Sequence, residues 1–324
     1  MKKVDLHKII NNPKNQLNLY GYRHYFDTFV KLYKKHEIPN TLLISGPKGI
    51  GKATFLYHFF NYVLSQNEKN KYDISNMKIH SENLSYNRLL ANTHPNFFLV
   101  DSQDTNKEIK IDTIRNLITF LSKSTYSSDL KIVLIYNAEN MNLYSSNALL
   151  KAIEEPKKNT FFFIVQDSKH KILETIKSRS TEFKIFFTKM EKEYILIELI
   201  NFYYDNCTSS KFMENLYFDT PGNILKYLSV LEENNTALDE NIISNINFFI
   251  EKYKKDKNSE TLSYISFFIE KFYNKLCLSS KEKFQFHIFN YIKILKILNE
   301  MKKFNLNDKN SFIKINDILI NETK

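Results

Sequence analysis

The segment GPKGIGKATF, residues 46–55, follows the apolar run TLLIS at 41–45 and precedes a helical stretch at 53–65. The chain has five glycines in 324 residues, Gly21, Gly46, Gly49, Gly51 and Gly222, and three of them fall inside this segment. Glycine serves where backbone must take positive φ or lie close to a ligand. Strand, glycine-rich turn, lysine and helix is the order of a phosphate-binding loop, G-x-x-x-x-G-K-[ST]. In such a loop the N–H groups and the helix N-terminus face the phosphates, the lysine adds a point charge, and the next hydroxyl ligates Mg²⁺. Gly46, Gly51 and Lys52 match, but Ala53 stands where the hydroxyl belongs. Thr54, about 100° further round the helix, does not simply replace it. The candidate nucleotide-contacting residues are Gly46, Gly49, Gly51, Lys52 and Thr54. Two readings stay open: a loop that contacts nucleotide, and a strand-to-helix turn that keeps only the ancestral shape.

Hydrolysis asks for acids at the tip of a later buried strand, to hold the metal and orient water. The apolar run KIVLIY, 131–136, ends in Tyr136 and Asn137 instead. Glu139 lies beyond the strand end and reads as a solvated carboxylate. With two metal ligands lost, transition-state stabilisation goes with them, and the expectation is a site that does not hydrolyse.

Outward from the loop, strands read at 41–45, 96–101, 131–136, 160–166 and 181–187. Helices read at 53–65, 81–93, 111–124, 142–156 and 171–180. Alternation of this kind predicts an α/β unit with a parallel sheet and right-handed crossovers. The near-continuous apolar run at 131–136 requires cover on both faces. Residues 1–40 read as helical and polar, with HYFDTFVKLYKKHEI amphipathic, and QNEKNKYD at 66–73 reads as an exposed linker. Beyond 187 the pattern changes to three short helices over 190–233, broken at 205–210 and 220–223, then to long helical periods over 237–303. The division is therefore 1–187, 188–236 and 237–324.

At 43% hydrophobic and 15% aromatic, the chain can bury a sizeable core. No apolar run approaches the ~18 residues that span a bilayer, and the first residues lack the apolar centre of a secretory signal. Cys207 and Cys277 are the two cysteines, too few and too distant for a disulfide framework or a cysteine-built zinc site. A reducing cytoplasm is the simplest setting. The net charge of +10 favours a polyanionic partner, while the abundance of Lys, Asn, Ile, Tyr and Phe is also what an AT-rich genome yields. Lys110, Lys131, Lys151, Lys157, Lys158, Lys169, Lys171 and Lys184 give the first unit much of its charge. Each reads first as a surface lysine, and some are placed to face a duplex.

Four stretches together resemble the bacterial clamp-loader AAA+ family, and within it the delta-prime subunits of DNA polymerase III: GPKGIGKAT, IKIDTIRNLITFLSKS with Arg115, SSNALLKAIEEP, and ILETIKSRS. The match runs over roughly 15–230, and SSNALLKAIEEP is its most specific part. The resemblance implies an AAA+ P-loop core at 1–187, a small helical lid at 188–236 and an all-α collar at 237–324. Ser178 and Arg179 match the position from which such subunits present an arginine finger to a neighbour's ATP. A guanidinium keeps its charge and forks onto phosphate oxygens, so it suits that task. Ser180 replaces the usual cysteine. DTPGN at 219–223 occupies the place where ATPase subunits carry a phosphate-sensing arginine, which puts Gly222 there. The family's four-cysteine zinc knuckle has no counterpart at 65–95, so no zinc is expected.

The resemblance further implies gamma/tau and delta subunits as partners, with the sliding clamp and primer-template DNA reached through the complex, no membrane, and no activity alone. No cofactor is required, and ATP or ADP held without hydrolysis is compatible. Two other readings remain: the gamma/tau-type ATP-hydrolysing motor, which calls for Ser or Thr at 53, acids at 136–137 and a lid arginine, and a stand-alone basic P-loop protein gripping nucleic acid.

Overall fold

Five apolar runs become five strands of one parallel sheet: β1 Thr41–Gly46, β2 Phe97–Val100, β3 Lys131–Ile135, β4 Thr160–Asp167 and β5 Thr181–Lys184. Their order is β2-β3-β4-β1-β5. This computed structural model describes residues 10, 12–102, 108–123, 130–204, 219–233, 242–280, 282–304 and 308–322. Among them the helices are α1 Arg23–Lys34, α2 Lys52–Leu64, α3 Leu84–Leu90, α4 Ile111–Ser122, α5 Leu143–Glu154, α6 Glu174–Lys177, α7 Lys189–Tyr204, α8 Pro221–Glu233, α9 Ile242–Asp256, α10 Ser259–Ser279, α11 Phe284–Phe304 and α12 Asp308–Glu322. The chain divides into two compact units, one of Met1–Cys207 with Tyr217–Lys226 and the other of Thr208–Leu216 with Tyr227–Lys324. The breaks expected at 205–210, with Cys207, and near 236 lie outside the described residues.

In the first unit successive strand residues feed opposite cores, as the two-residue repeat of a strand dictates. Leu42, Ile44, Phe163 and Val165 pack with Phe26, Phe29, Phe55, Phe59 and Phe60. Leu43, Phe162, Ile164, Val133 and Ile135 pack with Ile114, Leu117, Leu149, Ile153 and Ile176. Both faces are covered, and every residue of β1 and β3 is buried. The first core is largely aromatic. Phe29 meets Phe55 at 4.9 Å and Phe59 at 5.3 Å, both edge to face, an arrangement worth about 0.5–1.5 kcal/mol per pair beyond burial.

Two expectations fail locally. Residues 12–40 are not helical throughout: apart from α1 there is one 3₁₀ turn, Pro13–Asn15, started by the Asn12 side chain. Extended chain follows, bridging Asn18 to Lys78, and Gly21 at φ 76 turns it into α1. Nor is 66–73 a plain exposed linker, because Tyr72 is buried, as are Met77 and Ile79 beyond it. Polar bonds hold this excursion. His58, on α2 and fully buried, has Nδ1 3.0 Å from the Tyr72 hydroxyl and Nε2 3.0 Å from the Gln16 carbonyl. A carbonyl only accepts, so Nε2 carries the hydrogen and Nδ1 accepts from Tyr72. Asn61 donates to Asn83, Asn83 donates to the Asn70 carbonyl, and Glu68 accepts from the N–H groups of Leu84 and Ser85 at the start of α3. Among the described residues no cluster of three or more His, Cys, Asp or Glu side chains stands ready for a metal.

The second unit is helical. Phe249 stacks on Phe268 at 5.4 Å between α9 and α10. His287 of α11 and Glu322 of α12, both buried, pair at 2.6 Å. Asn290 donates to Glu322, and Ser280 lies 2.9 Å from the other ring nitrogen of His287. Cys277 is a free thiol. No helix of the described residues is long and apolar enough to cross a membrane.

Burial depresses the pKa of His58 to about 3, against about 6.5 when unfolded. Between those values the unfolded chain binds a proton that the folded chain refuses, so stability falls as pH drops through that window. The urea midpoint decreases from pH 7 to pH 4.5, and the decrease is smaller in His58→Phe, measured by far-UV circular dichroism.

Candidate functional site

β1 delivers the loop at Gly46, in register with Asp167, the last residue of β4. Gly49 and Gly51 have φ of 79° and 103°, left-handed backbone that side chains disfavour. Gly51 hands over to α2 at Lys52. Each loop carbonyl from 46 to 51 accepts a hydrogen bond from the chain itself. Lys52 Nζ donates to Gly46 O at 2.6 Å and Pro47 O at 2.8 Å. Thr220 Oγ1 donates to Lys48 O at 2.8 Å, and Asn223 Nδ2 adds a longer contact at 3.4 Å. Gly222 N donates to Gly49 O at 2.9 Å. The Tyr22 hydroxyl donates to Ile50 O at 3.0 Å, and Phe55 N donates to Gly51 O at 2.9 Å.

The contact of Gly222 with Gly49 is backbone on backbone. A Cβ on Gly222 would stand 2.5 Å from Gly49 O, and one on Gly49 would stand 2.4 Å from Thr220 Oγ1 and Asn223 Oδ1. Sequence reasoning assigned Gly222 only the loss of an arginine. The structure shows what the small residue permits: the turn 219–223 lies directly on the loop.

Lys52 is 6% exposed. Burial lowers its pKa to about 8, against the opposing pull of Asp167 and Glu139. Inside the loop is a cavity of about 170 Å³, lined by residues 48–54, Tyr136, Asn137, Glu139 and Asp167, with Tyr22, Ile195 and Leu225 among its apolar walls. Ligand clefts commonly run ~300–1,000 Å³, so this cavity is small for a whole nucleotide. Thr54 lines it one residue beyond Ala53.

Acids do surround the loop, though not at the β3 tip. Asp167 ends β4 with its carboxylate nearly buried, accepting from Lys169 N at 3.1 Å and lying 3.3 Å from His170 Nδ1. Glu139, expected to be solvated, is half-buried, and its Oε2 receives no hydrogen bond among the described residues. Asp101 follows β2 and accepts from Asn137, while burial pushes its pKa up to about 6. Sequence reasoning looked for acids only after the 131–136 run. The available signal was an Asp closing the buried run TFFFIVQD.

Gly49, Gly51, Lys52 and Thr54 are thus brought together, with Gly46 at the loop entry. Ser178 and Arg179 are not among the residues lining this cavity. They follow α6, which is anchored in the second core through the fully buried Ile176. Arg179 is half-exposed. Its Nε meets Glu154 Oε1 of α5 at 2.5 Å, and its Nη1 donates to Thr175 O at 3.0 Å. Ser178 is exposed, and its hydroxyl donates to the same carbonyl at 3.3 Å.

The sequence profile described as "DNA polymerase III, delta subunit" matches residues 21–188. A DNA polymerase III subunit delta' of Pseudomonas aeruginosa is 32% identical over 140 residues, 43% of this chain and 41% of that protein. One from Buchnera aphidicola is 24% identical over 292 residues, 88% of this chain and 74% of that protein. The chain spans less than half the length of several of the curated relatives it matches. A gamma-subunit-related protein of Thermotoga maritima superposes over 92% of this chain and 98% of its own, at TM-score 0.45 and 16% identity, a likeness too low to bear on function. The profile match takes in more than half of the chain, including the loop, the sheet and Arg179, and this chain belongs to the DNA polymerase III delta-subunit family.

Proposed function

We propose that the chain is a delta-prime-like clamp-loader subunit that does not hydrolyse nucleotide and donates Arg179 to ATP held by a neighbouring motor subunit, for loading of a sliding clamp onto primed DNA. The observation that carries this reading is the state of Lys52: its ammonium is buried and bonded to two carbonyls of its own loop. In a hydrolysing site that charge faces the β and γ phosphates. Ala53 supplies no metal hydroxyl, and Tyr136 and Asn137 supply no carboxylate. Asp167 and Glu139 line the small cavity together with Lys52, whose charge they partly offset. Arg179, by contrast, stays half-exposed.

In the same proposal the core at 1–187, a lid at 188–236 and a collar at 237–324 serve assembly with gamma/tau and delta subunits, and the setting is cytoplasmic. Nucleotide held idle stays compatible, because among the described residues the N–H groups of Lys48, Gly49 and Gly51 have no acceptor. The motor reading lacks its hydroxyl, its strand-end acids and its lid arginine. The nucleic-acid-binding reading rests on charge alone.

An arginine finger supplied in trans is worth about 10³–10⁵ in rate in other phosphoryl-transfer systems. Arg179→Ala therefore leaves assembly intact, by size-exclusion chromatography, and lowers the DNA-stimulated ATPase of the reconstituted complex by about a hundredfold or more, the low end for one lost transition-state donor. Normal hydrolysis by that complex refutes the role, and ATP turnover by the purified chain alone revives the motor reading. Gly222→Ala forces Gly49 O aside and destabilises the chain by about 1–3 kcal/mol, read as a lower urea midpoint.

A further inference from the structure

Arg179 has five N–H hydrogens, and the fold engages Nε and Nη1 of the guanidinium. Glu154 Oε1 takes Nε at 2.5 Å. Thr175 O takes Nη1 at 3.0 Å, with Ser178 Oγ at 3.4 Å. Among the described residues nothing engages Nη2. Both ends of the ion pair are fixed by one core. Glu154 is the last residue of α5, next to the buried Ile153, and Arg179 lies three residues past the buried Ile176. Ile153 and Ile176 share the second hydrophobic cluster. Pro156 prevents α5 from carrying the carboxylate past this point.

We infer that Glu154 is a positioning residue for Arg179: by accepting from Nε it fixes the plane of the guanidinium and leaves the Nη2 amino group to be offered to the terminal phosphate of a nucleoside triphosphate. The inference rests on the proposed trans role of Arg179. The pair is open to solvent, 37% for Arg179 and 43% for Glu154, so it contributes little to stability. Its effect is orientation. A long arginine loses its rotamer freedom here before the partner arrives, and a reacting group ordered in advance need not be ordered during the reaction. Attraction to the carboxylate does not neutralise the finger's function, because Nη2 and the outer face of the delocalised cation stay open.

The test uses the reconstituted complex and steady-state ATPase in the presence of primed DNA. Glu154→Ala lowers kcat roughly three- to thirtyfold, a smaller loss than that from removing the guanidinium, with KM for ATP and the thermal midpoint of the chain unchanged. Glu154→Gln, which keeps an acceptor at Oε1, recovers most of the rate. In the double variant Glu154→Ala/Arg179→Ala, the rate equals that of Arg179→Ala alone. If Arg179→Ala lowers the rate while Glu154→Ala keeps the parental kcat, the positioning role is overturned and the finger survives. If the losses multiply in the double variant, Glu154 acts by another route and the inference is overturned. If Arg179→Ala itself has no effect, the finger reading fails and this inference falls with it.

Discussion

A backbone carbonyl shut away from water needs a donor, at a cost of about 1–3 kcal/mol if none is found. In the turn between β1 and α2 every carbonyl from 46 to 51 finds a donor within the chain. How those carbonyls are satisfied determines much of the first unit: the inward fold of Lys52, the placement of Tyr22 against Ile50, and the approach of the turn at 219–223 to Lys48 and Gly49. Donors come from α1, from α2 and from the segment at the start of α8, so distant parts of the chain are tied to one short loop. The aromatic core beneath it, with Tyr22 stacked on Phe55 at 5.1 Å, gives that loop a rigid seat.

Two kinds of chemistry are kept apart in this unit. The loop holds the lysine, bonded to its own carbonyls, with Asp167 and Glu139 beside it. The edge carrying Arg179 holds an arginine with one side left open. The separation follows from the topology. The loop and Asp167 sit at the ends of the two central strands, while α5 and α6 cover the second face of the sheet and end at its rim. The proposed function gives the first region no hydrolysis to perform and gives the second its action on a neighbour.

The sheet was legible in the sequence because most of its strands, four to eight residues long, lie in apolar runs bounded by turns. The SSNALLKAIEEP helix was legible because apolar residues at Leu149 and Ile153 recur at helical spacing. The N-terminal stretch was not, because Pro13 and Gly21 interrupt a helical composition and the bridge of Asn18 to Lys78 depends on a partner sixty residues away. The packing of Tyr72 was hidden for the same reason: its partner is His58, across a polar excursion. At the loop, Gly46, Gly49, Gly51, Lys52 and Ala53 could be found by pattern. Asp167 and Glu139 could not be placed around Lys52 until strand order set β4 beside β1. The Glu154–Arg179 pair joins two motifs that each read as local.

The close approach of Gly49 and Gly222 limits which residues position 222 can accept. Two main chains touch there with no room for a side chain on either. Any larger residue at 222, an arginine included, first requires the turn to withdraw from the loop, which would strip donors from Lys48 and Gly49 together. Position 222 is therefore held small by sterics: a single exchange to a larger residue costs the fold this contact before the new side chain can do anything.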